Sequence, residues 1–171
     1  FTSQIFKATQ VECDPSAKGA LPYKTVRGPF FTFQGLPDGV VHPAFRFWVE
    51  QEVPTGADEG RVVDDLTASG GNGPSPTREQ LSLPSLDDLV CAVERVAAVC
   101  PESVWGCQEF FKRDMRKAFR QDPGSPESRK WGVFAVKNLQ GQIELYQHLS
   151  LPFGARAAPI LFCGVARVLC E

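Results

Sequence analysis

Apolar positions recur at helical spacing in one long stretch and alternate at strand spacing in several shorter ones. Leu86, Leu89, Val90, Val93, Val96, Ala97 and Cys100 fall at i, i+3, i+4 and i+7. This predicts an amphipathic helix whose stripe buries against a sheet. Ser85 supplies its N-cap, Asp88 takes the capping-box position three residues on, and Pro101 closes it. Residues 44–53 are rich in strand formers, 54–60 read as a turn, and 61–64 as a return strand, giving a hairpin. Residues 69–76 form a connecting loop, since the glycines there lack the Walker pattern and a following Lys-Ser/Thr. A strand over 108–114 ends at Asp114, and Lys117 to Gln121 make one short helical turn stopped by Asp122-Pro123-Gly124. Strands over 131–137 and 142–148 are joined by the turn Asn138-Leu139-Gln140-Gly141. After a tight turn at 151–154, a last helix starts near Ala157, with Pro159 in its first turn.

The order hairpin, helix, strand, hairpin, helix predicts an α+β fold, a mainly antiparallel sheet with helices packed on it. Residues 1–40 are punctuated by Gly19, Pro22, Gly28, Pro29, Gly35, Pro37 and Gly39 and read as loops and short elements. Phe30, Phe31 and Phe33 are expected to anchor this lead-in to the body of the fold.

Composition narrows the class without naming a function. The 171 residues suffice for one domain with a core, and no apolar run has the length of a membrane span. The start lacks both a signal peptide and a methionine, and an apolar helical pattern stops at Glu171; the chain is therefore expected to be a piece of a longer protein. A net charge of −2 does not mark a nucleic-acid binder. Locally, Lys112, Arg113, Arg116, Lys117 and Arg120 cluster, which reads first as a solvated face. Cysteines 13, 91, 100, 107, 163 and 170 include no Cys-x-x-Cys pair and only two histidines accompany them, so buried free thiols in a reducing, intracellular compartment are expected rather than zinc.

The candidate chemistry centres on Asp114. A carboxylate at the end of a buried strand is costly unless a cation meets it. Two explanations fit the residues: a salt bridge to Arg113, Arg116 or Lys117, or a metal ligand beside a nucleotide pocket. There is no Gly-x-Ser-x-Gly elbow, no Gly-x-Gly-x-x-Gly turn and no close Cys/His arrangement.

Four segments in order then resemble the fingers and palm of a reverse transcriptase, an RNA-directed DNA polymerase. They are Arg61-Val62-Val63-Asp64-Asp65-Leu66 with Asn72, the proline-led helix entry Leu83 to Asp88, Phe110 to Gln121 with an aromatic five residues after Asp114, and Leu149 to Phe162 with its Leu-Pro-Phe-Gly and Ala-Pro. The likeness covers about residues 40–171 and is greatest to retroelement enzymes of the DIRS-like or LTR type. It divides the chain into a lead-in over 1–40 and, over 41–171, fingers and a partial palm, the palm's first half.

The resemblance implies template-directed DNA synthesis from dNTPs on an RNA or DNA template-primer, with two Mg²⁺ ions in a site of which Asp114 is one ligand. It implies that Arg61 grips the triphosphate and that the backbone near Ala118 contacts the nucleotide. Phe119 would be the sugar gate that excludes a 2′-hydroxyl, and Phe153 with Gly154 the floor under the nascent base pair. The sequence departs from the family at Arg113, Thr67 and Ala155. The family's third motif, an aromatic-x-Asp-Asp hairpin, should follow the last helix, so these residues alone are expected not to polymerise DNA. The alternatives are a degenerate remnant that only binds nucleic acid, and a polymerase that makes RNA or serves an intron maturase.

Overall fold

The structure is a computed structural model that describes residues 1–51, 59–73, 85–101 and 115–170. Two compact units are distinguished, one formed by residues 1–78 and 117–171, the other by residues 79–116.

The larger unit is built on five strands: β1 (Val26–Phe30), β2 (Ala44–Gln51), β3 (Glu59–Asp64), β4 (Val133–Lys137) and β5 (Ile143–His148), in the spatial order β1-β5-β4-β2-β3. Two of its pairings are the expected hairpins. β2 and β3 pair from Arg46↔Asp64 to Gln51↔Glu59, and β4 and β5 from Val133↔Gln147 to Lys137↔Ile143. The second turn is set by Asn138, whose Oδ1 accepts from the N–H of Gln140 at 3.0 Å and of Gln142 at 2.9 Å, while Gly141 takes φ 85°.

The sheet is mainly antiparallel, as expected, in three of its four pairings, and mixed through the fourth. β2 runs parallel to β4 through Ala44↔Phe134 and Phe45↔Ala135. A parallel pair needs a long crossover, and here residues 52–132 lie between the two strands. β1 is an unanticipated edge strand, antiparallel to β5 with an irregularity between Arg27 and Phe30. Its Gly28-Pro29 step reads as punctuation in the sequence, yet proline is admissible at an edge.

The period-2 alternation of β4 divides the core. Phe134 and Val136 face one side with Val26, Ala44, Leu66 and Tyr146; Val133 faces the other with Leu36 and Leu145. The first side is covered by α1 (Thr2–Cys13), which sets Ile5, Phe6 and Cys13 on the core. The helix falls where the sequence pattern predicts loops and short elements. Its buried face carries Thr9 and Glu12 among the apolar residues, which dilutes the stripe, and its N-cap Phe1 supplies no side-chain bond. The second side is covered by the segment after β1. Phe30 packs there, but Phe31 and Phe33 are exposed, so only one of the three expected anchors serves.

After β4 and β5 comes α3 (Ala158–Cys170), starting where the Ala-Pro sequence predicts. The short turn before the second hairpin is a 3-10 segment, Ala118–Gln121, followed by another at Pro126–Trp131 that takes the first residue of the expected strand. Among the described residues, no helix is long and apolar enough to cross a membrane.

The smaller unit contains α2 (Leu86–Val99) with both halves of its capping box formed: Asp88 N–H donates to Ser85 Oγ at 3.2 Å, and Ser85 N–H to Asp88 Oδ2 at 2.7 Å. Of its stripe, Leu86, Leu89, Val90 and Val96 are exposed. Cys91 is exposed as well, and Cys13, Cys100 and Cys163 are half-buried free thiols, so the expectation of buried cysteines holds only in part. The expected strand over 108–114 lies outside the described residues.

Candidate functional site

Three segments far apart in sequence meet at one edge of the larger unit. β3 presents Arg61, exposed to solvent; the 3-10 turn presents Phe119; and the turn before α3 presents Phe153 and Gly154. The Arg61 guanidinium carbon lies 5.6 Å from the centre of the Phe153 ring, within cation–π range. Phe153 meets Phe119 edge-to-face at 5.5 Å, and Phe119 meets Phe162 of α3 in the same manner at 5.7 Å. Arg61, Phe119, Phe153 and Gly154 are therefore brought together as a half-buried aromatic row ending in an exposed cation. Ala118 starts the 3-10 turn immediately before Phe119, behind Lys117 in the left-handed conformation (φ 53°).

Gly154 is fixed by its surroundings. Its φ is 103°, and a Cβ there would stand 2.1 Å from the carbonyl oxygen of Asp64. The Asp64 N–H donates to the Phe153 carbonyl at 3.2 Å. The end of β3 and the Phe-Gly turn thus pack backbone to backbone, which only glycine permits. Asn72 adds a second tie: Nδ2 donates to the Gly154 carbonyl at 3.0 Å, and Oδ1 accepts from the Arg156 N–H at 2.8 Å.

Asp114, the expected metal ligand, lies outside the described residues. Among the described residues, no group of three or more His, Cys, Asp or Glu side chains could hold a metal ion. The carboxylate of Asp64, whose backbone packs on the Phe-Gly turn, does not fit Mg²⁺, because both its oxygens are already engaged. Oδ1 takes Arg46 Nε at 2.7 Å, and Oδ2 takes Arg46 Nη2 and His148 Nε2, each at 2.9 Å.

These contacts belong to a buried ionic network for which the sequence pattern gives no expectation. Arg46 also donates from Nη1 to Glu12 Oε2 at 2.7 Å and to Thr9 Oγ1 at 3.1 Å, and its guanidinium carbon sits 3.6 Å above the Phe134 ring. Arg120, read in the sequence as part of a solvated basic face, is 1% exposed. Its Nη1 stands 2.7 Å from His148 Nδ1, and its Nη2 pairs with Glu12 Oε1 at 2.7 Å. The latter contact is an ion pair without hydrogen-bond geometry, and neither Nη2 nor Nε of Arg120 has a hydrogen-bond partner among the described residues.

The partners fix the imidazole tautomer. A guanidinium only donates and a carboxylate only accepts, so His148 accepts at Nδ1 from Arg120 and donates at Nε2 to Asp64. The ring is neutral: burial, then the Arg120 charge, push its pKa down to about 4. Burial alone would raise Asp64, but Arg46 and His148 overcome it and hold the carboxyl well below the usual range. Glu12 is likewise raised by burial and lowered further by Arg46 and Arg120, with a net downward shift. Two guanidiniums and two carboxylates cancel, as a buried ionic cluster requires. One visible trace existed in the sequence: Arg46 and His148 are polar residues within strand patterns, and Glu12 follows Ile5 at helical spacing.

Beside the Phe-Gly turn opens a cleft of about 710 Å³ with Leu66, Leu151 and Leu161 among its apolar lining. Ser150 Oγ, Asp122 Oδ2 and Arg129 Nε, from residues lining this cleft, are buried atoms with no hydrogen-bond partner among the described residues. Such atoms are where ordered water or a polar ligand is taken up.

No family model matches the chain, and no curated protein is significantly similar to it.

Proposed function

We propose that this chain forms the fingers and first half of the palm of a retroelement reverse transcriptase, DIRS-like or LTR in type. One observation carries the reading. Arg61, Phe119 and the Phe153-Gly154 turn, which the resemblance assigns to a single nucleotide site, stand side by side although Arg61 and Phe153 are 92 positions apart in the chain. An exposed planar guanidinium at the end of an aromatic row suits a triphosphate, because its fork matches phosphate oxygens. The row itself offers an apolar wall for sugar and base, and in this reading the Phe119 ring takes the space a 2′-hydroxyl would need, favouring dNTPs. Asp114 is the carboxylate to which this reading assigns Mg²⁺. The template-primer is RNA or DNA, and the enzyme works within the cell, in cytoplasm or nucleus.

The test is primer extension on an RNA template by the full product of the reading frame that contains this chain, with dNTPs and Mg²⁺. Asp114→Asn should abolish incorporation and leave RNA–DNA binding in place. Incorporation that survives Asp114→Asn contradicts the assignment. Salt-dependent RNA–DNA binding without any extension would instead favour a remnant that binds nucleic acid and performs no chemistry.

A further inference from the structure

We infer that Asn72 is a positioning residue of the nucleotide site: it clamps the Phe153-Gly154 turn onto the end of the β3 hairpin and so sets the aromatic row under the incoming nucleotide. The inference rests on the polymerase reading and adds to it a residue to which that reading gives no role.

The geometry is specific to an amide. Asn72 Nδ2 donates twice, to Thr67 Oγ1 at 2.9 Å and to the Gly154 carbonyl at 3.0 Å. Oδ1 accepts from the Arg156 N–H at 2.8 Å. The side chain therefore grasps the backbone on both sides of Ala155, whose methyl packs on the core. A donor and an acceptor on separate atoms of one planar group are needed for this; a carboxylate or an aliphatic residue of like size lacks one or both, and a hydroxyl carries both on a single oxygen that does not span the two backbone groups. Asn72 is itself held, since its N–H donates to the Leu66 carbonyl at 3.0 Å and Leu66 is buried in the core.

The clamp matters because of what the turn presents. Upstream, the Phe153 carbonyl is tied to Asp64 N–H at 3.2 Å, and Gly154 lies against the Asp64 carbonyl. With both ties made, the Phe153 ring is aimed at Phe119 and Arg61. With only the Asp64 tie, the turn can pivot about residue 153, and the ring leaves the row. A displacement of about 1 Å in a positioning group can cost up to ~100-fold in rate, and here the displaced group binds the nucleotide rather than the primer.

The experiment measures dNTP KM, kcat per active site and primer–template affinity for the full reading-frame product and three variants. Asn72→Ala is expected to raise dNTP KM about tenfold or more, with primer–template affinity within about twofold of the parent. Asn72→Asp keeps the acceptor for Arg156 but sets a carboxylate against the Gly154 carbonyl, so it should raise KM as much. Thr67→Ala removes only the Asn72 partner outside the turn and should leave KM within about twofold. A merely structural loss would reduce the fraction of active enzyme and spare KM. An unchanged KM for Asn72→Ala in an active enzyme overturns the inference and leaves the polymerase reading standing. A Thr67→Ala effect equal to that of Asn72→Ala also overturns it, by placing the effect in the 67–73 turn. A parent protein that incorporates no dNTP overturns the polymerase reading, and the inference with it.

Discussion

Glu12→Gln removes one of two carboxylates from the buried network while preserving side-chain volume. Glu12 is 9% exposed and its two oxygens serve two different guanidiniums, Arg46 through Oε2 and Arg120 through Oε1, each at 2.7 Å. After the change, Asp64 alone faces two buried positive charges, and the new amide NH₂ must point at one of them. Removing one partner of a buried ion pair costs about 3–5 kcal/mol, because the remaining charge stays desolvated without compensation. That is a large share of the ~5–15 kcal/mol that holds a typical domain folded. At ~2–4 °C per kcal/mol for a chain of 150–250 residues, the melting midpoint should fall by roughly 6–20 °C. Thermal and urea unfolding at pH 7, followed by tryptophan fluorescence, measures it. A double-mutant cycle separates pairing from packing: Arg120→Gln in the Glu12→Gln background restores charge balance and should recover about 2 kcal/mol or more of the loss. A Glu12→Gln cost below about 0.5 kcal/mol, typical of a surface position, or strict additivity in the cycle, would refute the network as a structural element.

Two further outcomes follow from the same geometry. The unfolded His148 imidazole binds its proton near pH 6.5 and the folded one only near pH 4, so between these values the unfolded state holds more protons and stability falls as pH drops, by at most about 3 kcal/mol. His148→Gln retains a donor for Asp64 and an acceptor for Arg120 and should flatten that slope in urea titrations from pH 7 to pH 4.5; an unchanged slope would place its source elsewhere. Phe119→Ala, in the full reading-frame product, should admit ribonucleotides that the parent rejects, read as the ratio of kcat/KM for dNTP and rNTP. No change in that ratio removes the sugar-gate role.

What the sequence discloses and what it hides follow from the range of the forces involved. Local chemistry is visible: the Ser85–Asp88 capping box, the Asn138 turn and the Ala158-Pro159 helix start are each written within four residues and appear as expected. α1 escapes because its function is partly ionic. Thr9 and Glu12 occupy its buried face to meet Arg46 and Arg120, and a hydrophobic periodicity cannot register polar residues that are buried for their charge. The network escapes for a second reason: its members at 12, 46, 64, 120 and 148 are joined only by the tertiary fold, including the parallel β2–β4 pairing. The nucleotide-site candidates were legible through motif likeness rather than pattern. The adjacency of Arg61, Phe119 and Phe153 depends on the close approach that Gly154 allows at Asp64. Arg120 shows the limit of charge clustering as a guide, since it stands in a basic run yet is buried.

The central claim is that these residues belong to an enzyme that copies nucleic acid into DNA. Primer extension on an RNA template by the full reading-frame product, wild type against Asp114→Asn, tests it most directly. Mg²⁺-dependent dNTP incorporation that disappears in Asp114→Asn, with RNA–DNA binding unchanged, is the predicted result. Incorporation that is indifferent to Asp114, or a protein that binds the duplex and never extends it, would contradict the claim.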